Sequence, residues 1–484
     1  MATLSNGHSD ETTSLLREEQ ADDSNKHDIT SDISPLAVGN QKLERQIDWK
    51  TASLINVSYM VGGGVFVSPA LTLAMVGSGG MNIVIWLFAS FITMTGVCTY
   101  AELGTMVREL LTCLSMILPP FLTFSGGEKE YLAFIYRRPK LLLAYLFSIY
   151  NIIAIAGGIA SQSTVFGRYL NFALFGSSVP TPVLDRVWAG KFLRRRNTIL
   201  HLINACSVKT SLKSIVMLTA VKVAVLLLII LTGLAVLCGV MDTDADYLDN
   251  LSFNGTTMSF KPYASAFYFS MHGYSGFNAI QYSLDEVKNP IQNLPKIAGS
   301  ALGLTSVLYL LTIISYMLVL PNEVIKNSDL TVAGSFFTKV FGVGFASRGL
   351  PIFIGLSAVG CSASLIFSGS RLVLEASRDG LLPYGHTFGY VNPTFQAPVN
   401  ALVLQYVIVL IYLLATPGGV YQFIIAFAAW PAYIFFACIG IGVFMLRRRE
   451  PDLARPFKAN SGKVFSKSVS CVIDDITETN FWGQ

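Results

Sequence analysis

The chain has 484 residues, 52% of them hydrophobic and 13% charged, against about 25% charged in an ordinary soluble domain. Apolar runs long enough to cross a bilayer exclude a single soluble core, and a formal net charge of +4 is too small to point to a nucleic-acid partner. The seven cysteines stand alone, with no CxxC pair, so they read as small apolar packing residues.

Residues 1–48 are polar and acidic and read as a disordered cytoplasmic tail. No cleavable signal peptide is expected before the first apolar run, which would act as its own insertion signal. Within the tail, Glu11-Thr-Thr-Ser-Leu15-Leu16 fits an acidic dileucine sorting signal read by adaptors; plain disorder is the alternative. The transmembrane region is placed at 49–446, with spans expected at 51–76, 82–107, 141–166, 214–240, 263–282, 297–320, 350–370, 399–415 and 422–446. A crossing needs roughly 20 mostly apolar residues. Two further segments are awkward: 109–124 is short and holds Pro119-Pro120, and 198–208 is about half the needed length. A second cytoplasmic tail is placed at 447–484.

Orientation follows from Lys and Arg in short loops, which favour the cytoplasm. Arg108, Lys129, Arg137, Arg138 and Lys140 lie between the second and third long spans, and Arg447-Arg448-Arg449 follows the last. Lys288 and Lys296, and Arg371 and Arg378, fall in two further loops on that side. The loop 241–261 carries Asp242, Asp244, Asp246 and Asp249 with two glycosylation sequons, at Asn250 and Asn254, and is expected outside. Parity then requires a crossing between Phe166 and Lys209. Only 198–208 is available, and Arg194-Arg195-Arg196 stands before it on the outer side.

Span one contains Val61-Gly62-Gly63-Gly64-Val65-Phe66. Successive glycines cost a regular helix about 1 kcal/mol each relative to alanine. One reading is close packing on a neighbouring helix. The other is an unwound break whose freed N–H groups and following half-helix aim positive charge at an anion such as a carboxylate. The span 263–282 is interrupted in the same way by His272-Gly273-Tyr274-Ser275-Gly276-Phe277. Counting the weak fourth crossing, the interrupted spans are the first and the sixth. These are matching positions of two five-helix halves, the usual pointer to a transporter site. Lys222 lies inside an apolar run, either as a functional charge or snorkelling to the cytoplasmic edge. Glu102 and Glu375 read as structural ion partners. No nucleophile–base set, phosphate loop or metal cluster is found, so no enzyme chemistry, catalytic residue, metal or cofactor is expected.

These residues resemble the amino acid–polyamine–organocation superfamily, and within it the L-type amino acid transporters and fungal methionine permeases. The resemblance runs from about Leu43 to Lys458 and rests on Gly62-Gly63-Gly64-Val65-Phe66-Val67-Ser68-Pro69, Tyr100-Ala101-Glu102-Leu103-Gly104, Ser125-Gly126-Gly127-Glu128, Tyr274-Ser275-Gly276-Phe277-Asn278, Glu286-Val287-Lys288-Asn289-Pro290 and Arg378-Asp379-Gly380 in this order. It implies an all-α polytopic fold of inverted five-helix repeats, with about 10 spans here and discontinuous helices one and six. It implies that Gly62, Gly63 and Gly64 offer N–H groups to the substrate α-carboxylate. Carbonyls around Tyr59–Val61 and His272–Gly273 would hold the α-ammonium, and Tyr274, Ser275, Gly276 and Phe277 would line the side-chain pocket. Lys222 looks like the span-five lysine whose ammonium replaces sodium in several relatives.

The sequence departs from that pattern in four places. His272 stands where an aromatic gate is common; it either titrates near neutrality or is buried and neutral. Residues 109–124 look like an insertion, the fourth span looks shortened, and relatives carry two more spans beyond the stretch matching 447–458. No cysteine lies between Phe166 and Thr198, where heteromeric relatives bind a heavy chain, so no disulfide-linked heavy chain is expected. The function expected is sodium-independent transport of neutral amino acids by exchange or proton coupling, at the plasma membrane or an internal membrane such as the vacuole. The alternatives are an amino-acid receptor without net transport and a defective gene product.

Overall fold

The computed structural model describes residues 44–115, 127–139, 141–175, 194–241, 243, 245–328, 332–342, 345–415, 420–451 and 453–458. The sorting signal at Glu11, Leu15 and Leu16, the stretch 116–126 and the tail from 459 lie outside them. The described chain is all α-helical apart from short 3-10 turns and two isolated bridges.

The first span is split. Helix α1 (Trp49–Met60) stops at the glycines, a 3-10 turn covers Gly64–Phe66, and α2 (Ser68–Val76) restarts with a proline in its first turn. That proline position needs no N–H partner, so one of the donors a break would orphan is absent. Helix α3 (Gly79–Ser115) is 37 residues long. It absorbs the first residues of the expected insertion as continuous helix. A short helix, α4 (Glu128–Ile135), packs on α5 (Leu142–Phe175).

The fourth crossing corresponds to α6 (Arg194–Cys206), 13 residues or about 20 Å of helix. Arg194 and Arg195 are exposed, and the third arginine of the run is not. Arg196 does not sit in an outer loop. It is buried, its Nη2 donating to Ser163 Oγ at 2.8 Å, Ser362 Oγ at 2.9 Å and Asn197 Oδ1 at 3.0 Å, with its guanidinium 5.3 Å from the Phe166 ring centre. A protein interior that supplies hydroxyls tolerates the charge where lipid would not.

Helix α7 (Val208–Leu237) is capped by Ser207, which accepts from Thr210 N. After the acidic loop with α8 (Tyr247–Asn250), the sixth span is again split. Helix α9 (Phe260–Gly273) ends at the predicted break, and a 3-10 segment covers Ala279–Glu286. The remaining elements are α10 (Pro290–Val319), α11 (Asn322–Asn327), α12 (Val332–Phe341), α13 (Phe345–Arg378), α14 (Gly385–Phe388), α15 (Val399–Ala415) and α16 (Val420–Arg449). Among the described residues, 6 helices are long and apolar enough to cross a membrane unbroken. The split spans and the shorter α6 and α15 complete the bundle. Helix α13 packs on α5 and α7, and α10 on α1, α3 and α7, which places the broken α1 in the centre.

Of the residues expected in cytoplasmic loops, Lys296, Arg371 and Arg378 are helical. Arg371 and Glu375 both lie within α13, because buried partners meet them there. Arg371 Nε donates to Glu286 Oε1 at 2.8 Å, with both side chains nearly inaccessible, at 2% and 3%. Glu375 accepts from Arg378 at 3.2 Å. Further pairs at this end are Arg108 with Asp285 at 2.8 Å, Arg447 with Glu102 and Lys129 with Asp379. By the charge rule this is the cytoplasmic side. The chain before α1 joins the same layer: Ile47 N donates to Glu286 O, and Lys288 N to Ile47 O, each at 2.9 Å.

Breaking a buried pair by removing one partner leaves an uncompensated charge and costs about 3–5 kcal/mol. Arg371→Ala is therefore expected to lower the thermal-unfolding midpoint of the detergent-solubilised protein sharply. The double replacement Arg371→Met with Glu286→Leu is expected to recover most of the loss. A double variant no better than the single would show that the pair is not what the midpoint reports.

Candidate substrate site

The two breaks face one another. Asn56 of α1 donates from Nδ2 to Phe277 O at 2.9 Å and accepts from Ile280 N at 2.9 Å. The hydroxyl of Tyr309, on α10, lies 2.8 Å from Met60 O and 3.1 Å from Gly273 O, so one donor is shared between the last carbonyls of both half-helices. Trp86 packs edge-on against Tyr274 and Tyr309, at 5.8 Å and 5.7 Å between ring centres. Its Nε1 donates to Thr72 Oγ1 of α2. Buried backbone that leaves a helix must find partners elsewhere, and these side chains provide them.

A cavity of about 150 Å³ opens between the breaks. Pockets for drug-sized ligands run to about 300–1,000 Å³, so this one suits a single small molecule. Of the residues singled out in the sequence, Tyr59, Gly64, His272, Gly273, Tyr274, Ser275, Gly276 and Phe277 line it. Val61, Gly62 and Gly63 lie behind that surface, fully buried. The Gly62 N–H donates to Met60 O at 2.8 Å, and the Gly63 N–H to Gln162 Oε1 at 2.8 Å. The carbonyls expected to hold an ammonium also carry internal partners. Cys361 Sγ donates to Tyr59 O at 3.1 Å, and Ser275 N donates to His272 O at 3.1 Å. Each such carbonyl keeps a second lone pair. Gly276 has φ +102°, and a Cβ there would overlap the Tyr59 ring. The left-handed backbone and the close aromatic both demand glycine.

Lys222 is placed away from the cavity surface. It is wholly buried, its Nζ donating to Ser58 O at 2.7 Å and Ser58 Oγ at 3.0 Å. Snorkelling is thereby excluded, since the ammonium ties α7 to the last turn of α1. Cys361, read from sequence as packing, is also more than that, because it lines the cavity beside Tyr59.

Sequence reasoning missed several wall residues. Gln162 and Asn151 are lone amides within the apolar run of α5, a signal that was present. Tyr433 and Phe436 of α16 and Glu128 of α4 also line the cavity, but nothing local in the sequence joins them to the breaks.

Residues 47–473 match the amino acid permease family model. The high-affinity methionine permease of Saccharomyces cerevisiae is 29% identical over 406 residues, 81% of this chain. The chain spans only 65% of that relative's length. The b(0,+)-type amino acid transporter 1 of Mus musculus is 28% identical over 420 residues, covering 86% of this chain and 79% of its own. Large neutral amino acids transporter small subunit 2 of Homo sapiens is 26% identical over 438 residues, 89% of this chain and 75% of its own. The chain belongs to the amino acid permease family and is a multi-pass membrane protein.

Proposed function

Starting from that membership, we propose that this chain carries neutral L-amino acids, apolar or sulfur-containing ones such as methionine, across a membrane by alternating access. The observation that carries the reading is the cavity held between two helix breaks, lined by Gly64 on one side and by His272, Tyr274, Ser275 and Phe277 on the other. Half-helix ends give the α-carboxylate a positive dipole and the α-ammonium free carbonyl lone pairs. The aromatic wall of Phe277, Tyr433 and Phe436 suits an uncharged side chain. Gly62 and Gly63 act as the support that lets the break form, and Gly64 meets the substrate.

The Lys222 ammonium bridges α7 and α1; standing there in place of a bound cation, it would support transport without sodium by exchange or proton coupling. The plasma membrane is the proposed location. Without a cysteine between Phe166 and Thr198, no disulfide-linked heavy chain is proposed. The shortness of α6 favours one second reading, a receptor that binds amino acids without moving them.

Uptake of labelled L-methionine and L-leucine into cells expressing the chain, with and without sodium, tests the proposal. Saturable uptake that persists without sodium is expected. Binding to the purified protein without uptake would establish the receptor instead.

A further inference from the structure

The cavity has a floor that the amino acid does not explain. Glu128, at the start of α4, lines it with a side chain 1% exposed. Its Oε1 accepts from Asn278 Nδ2, in the break of the sixth span, and its Oε2 is buried without a hydrogen-bond partner. The buried hydroxyls of Tyr100 on α3 and Tyr282 stand within hydrogen-bond reach of the carboxyl. Below lies the cytoplasmic layer of ion pairs, in which the adjacent Lys129 bonds Asp379.

No cation neutralises Glu128 among the described residues. The titratable groups around it are tyrosines: Tyr100 from α3, Tyr59 from α1 and Tyr282 from the 3-10 segment. From α5, Asn151 donates to the Tyr282 hydroxyl at 2.7 Å, and Tyr150 shares the cavity. On its own helix Lys129 is paired, burial pushes the Glu130 carboxyl up to about 8, and Tyr131 donates to Gln281. The basic residues of the packed helices are engaged elsewhere: Arg108 with Asp285, Arg447 with Glu102, and Arg449 with the Ile135 carbonyl. A buried carboxylate with no partner charge is costly, and the group takes a proton instead.

We propose that Glu128 is a proton-binding site that couples proton entry to amino acid uptake. The inference rests on the carrier reading above. A proton arriving through the cavity bonds to a lone pair of Oε2, neutralising the carboxylate and leaving an O–H to donate toward the Tyr100 oxygen. When the ion-pair layer parts and Asn278, just before the 3-10 segment, moves, the carboxyl meets water and releases that proton to the cytoplasm. Glu128 lies outside the spanning helices, and burial pushes its carboxyl from the ordinary 4.5 up to about 7. Because the closed state binds the proton more tightly than the opened one, acid favours closure. That advantage is complete below about pH 4.5 and is lost as pH rises toward about 7.

The test uses the full chain in proteoliposomes with labelled L-methionine. Counterflow at equal pH first establishes carrier activity in each variant. An acid-outside gradient of about two pH units, which supports up to ~100-fold accumulation for one proton per substrate, is then imposed on vesicles without internal substrate. Accumulation of the label with internal acidification is expected for the native chain. In Glu128→Gln both, taken relative to that variant's own counterflow, are expected to fall to the level without a gradient. Glu128→Asp, which keeps the carboxyl, is expected to restore the coupled response. Gradient-driven accumulation in Glu128→Gln equal to the native chain, or a native chain with counterflow and no response to the gradient, overturns the inference and leaves the carrier reading standing. Absence of counterflow in the native chain overturns both.

Discussion

Gly63→Leu is expected to lower saturable uptake by about 10- to 100-fold. A Cβ at this position would lie 2.5 Å from Val165 Cγ1 and 3.0 Å from Val165 Cβ, tighter than any relaxed contact. The added atoms must push α5 away or close the break. Overpacking of this kind costs about 1–3 kcal/mol, and each 1.4 kcal/mol corresponds to about tenfold in an equilibrium. The Gly63 N–H would also move off Gln162 Oε1, a wall residue of the cavity. Gly63→Ala is expected to lose less, and Val165→Ala in the same chain to restore part of the loss. Uptake measured against the amount of protein at the membrane separates this from poor expression. A Gly63→Leu chain that transports normally would contradict a rigid, tightly backed break.

Lys222→Met is the second large effect, and its kinetic form matters as much as its size. Methionine keeps the length and the apolar stem but removes the donor to both Ser58 O and Ser58 Oγ. Hydrogen bonds to charged groups contribute about 1.5–3 kcal/mol each, so a fall of at least about tenfold is expected. Lys222 holds α1 and does not touch the cavity, so the maximal rate should fall much more than the half-saturating concentration rises. A variant with an unchanged maximal rate and a raised half-saturating concentration would place Lys222 against the substrate. Sodium-stimulated uptake in this variant would show that the ammonium stands in for a cation.

The breaks were legible because glycine runs contradict the regular helix that the surrounding apolar residues demand. Gly62-Gly63-Gly64 and Gly273 with Gly276 therefore marked their own positions. Roles were less legible than positions. Of the three successive glycines only Gly64 reaches the cavity, because Gln162 and the Met60 carbonyl take the N–H groups of its neighbours. Lys222 was ambiguous in sequence, since depth along a span does not say whether lipid or protein lies beside it.

The amino-acid order by itself determined what local chemistry controls: a many-span membrane protein, the split first and sixth spans, and the loops that carry Lys and Arg. A chain in lipid must satisfy its backbone within helices, so hydropathy and glycine position speak directly. Only the tertiary structure decided what depends on distant partners. Arg371 continues α13 because Glu286 meets it, Arg196 is buried because Ser163 and Ser362 receive it, and Tyr309 joins both breaks from α10. Glu128 reaches the cavity floor because α4 folds back beneath Asn278. Each of these is a contact between residues far apart in the chain, where side-chain packing sets the energy and no local pattern records it.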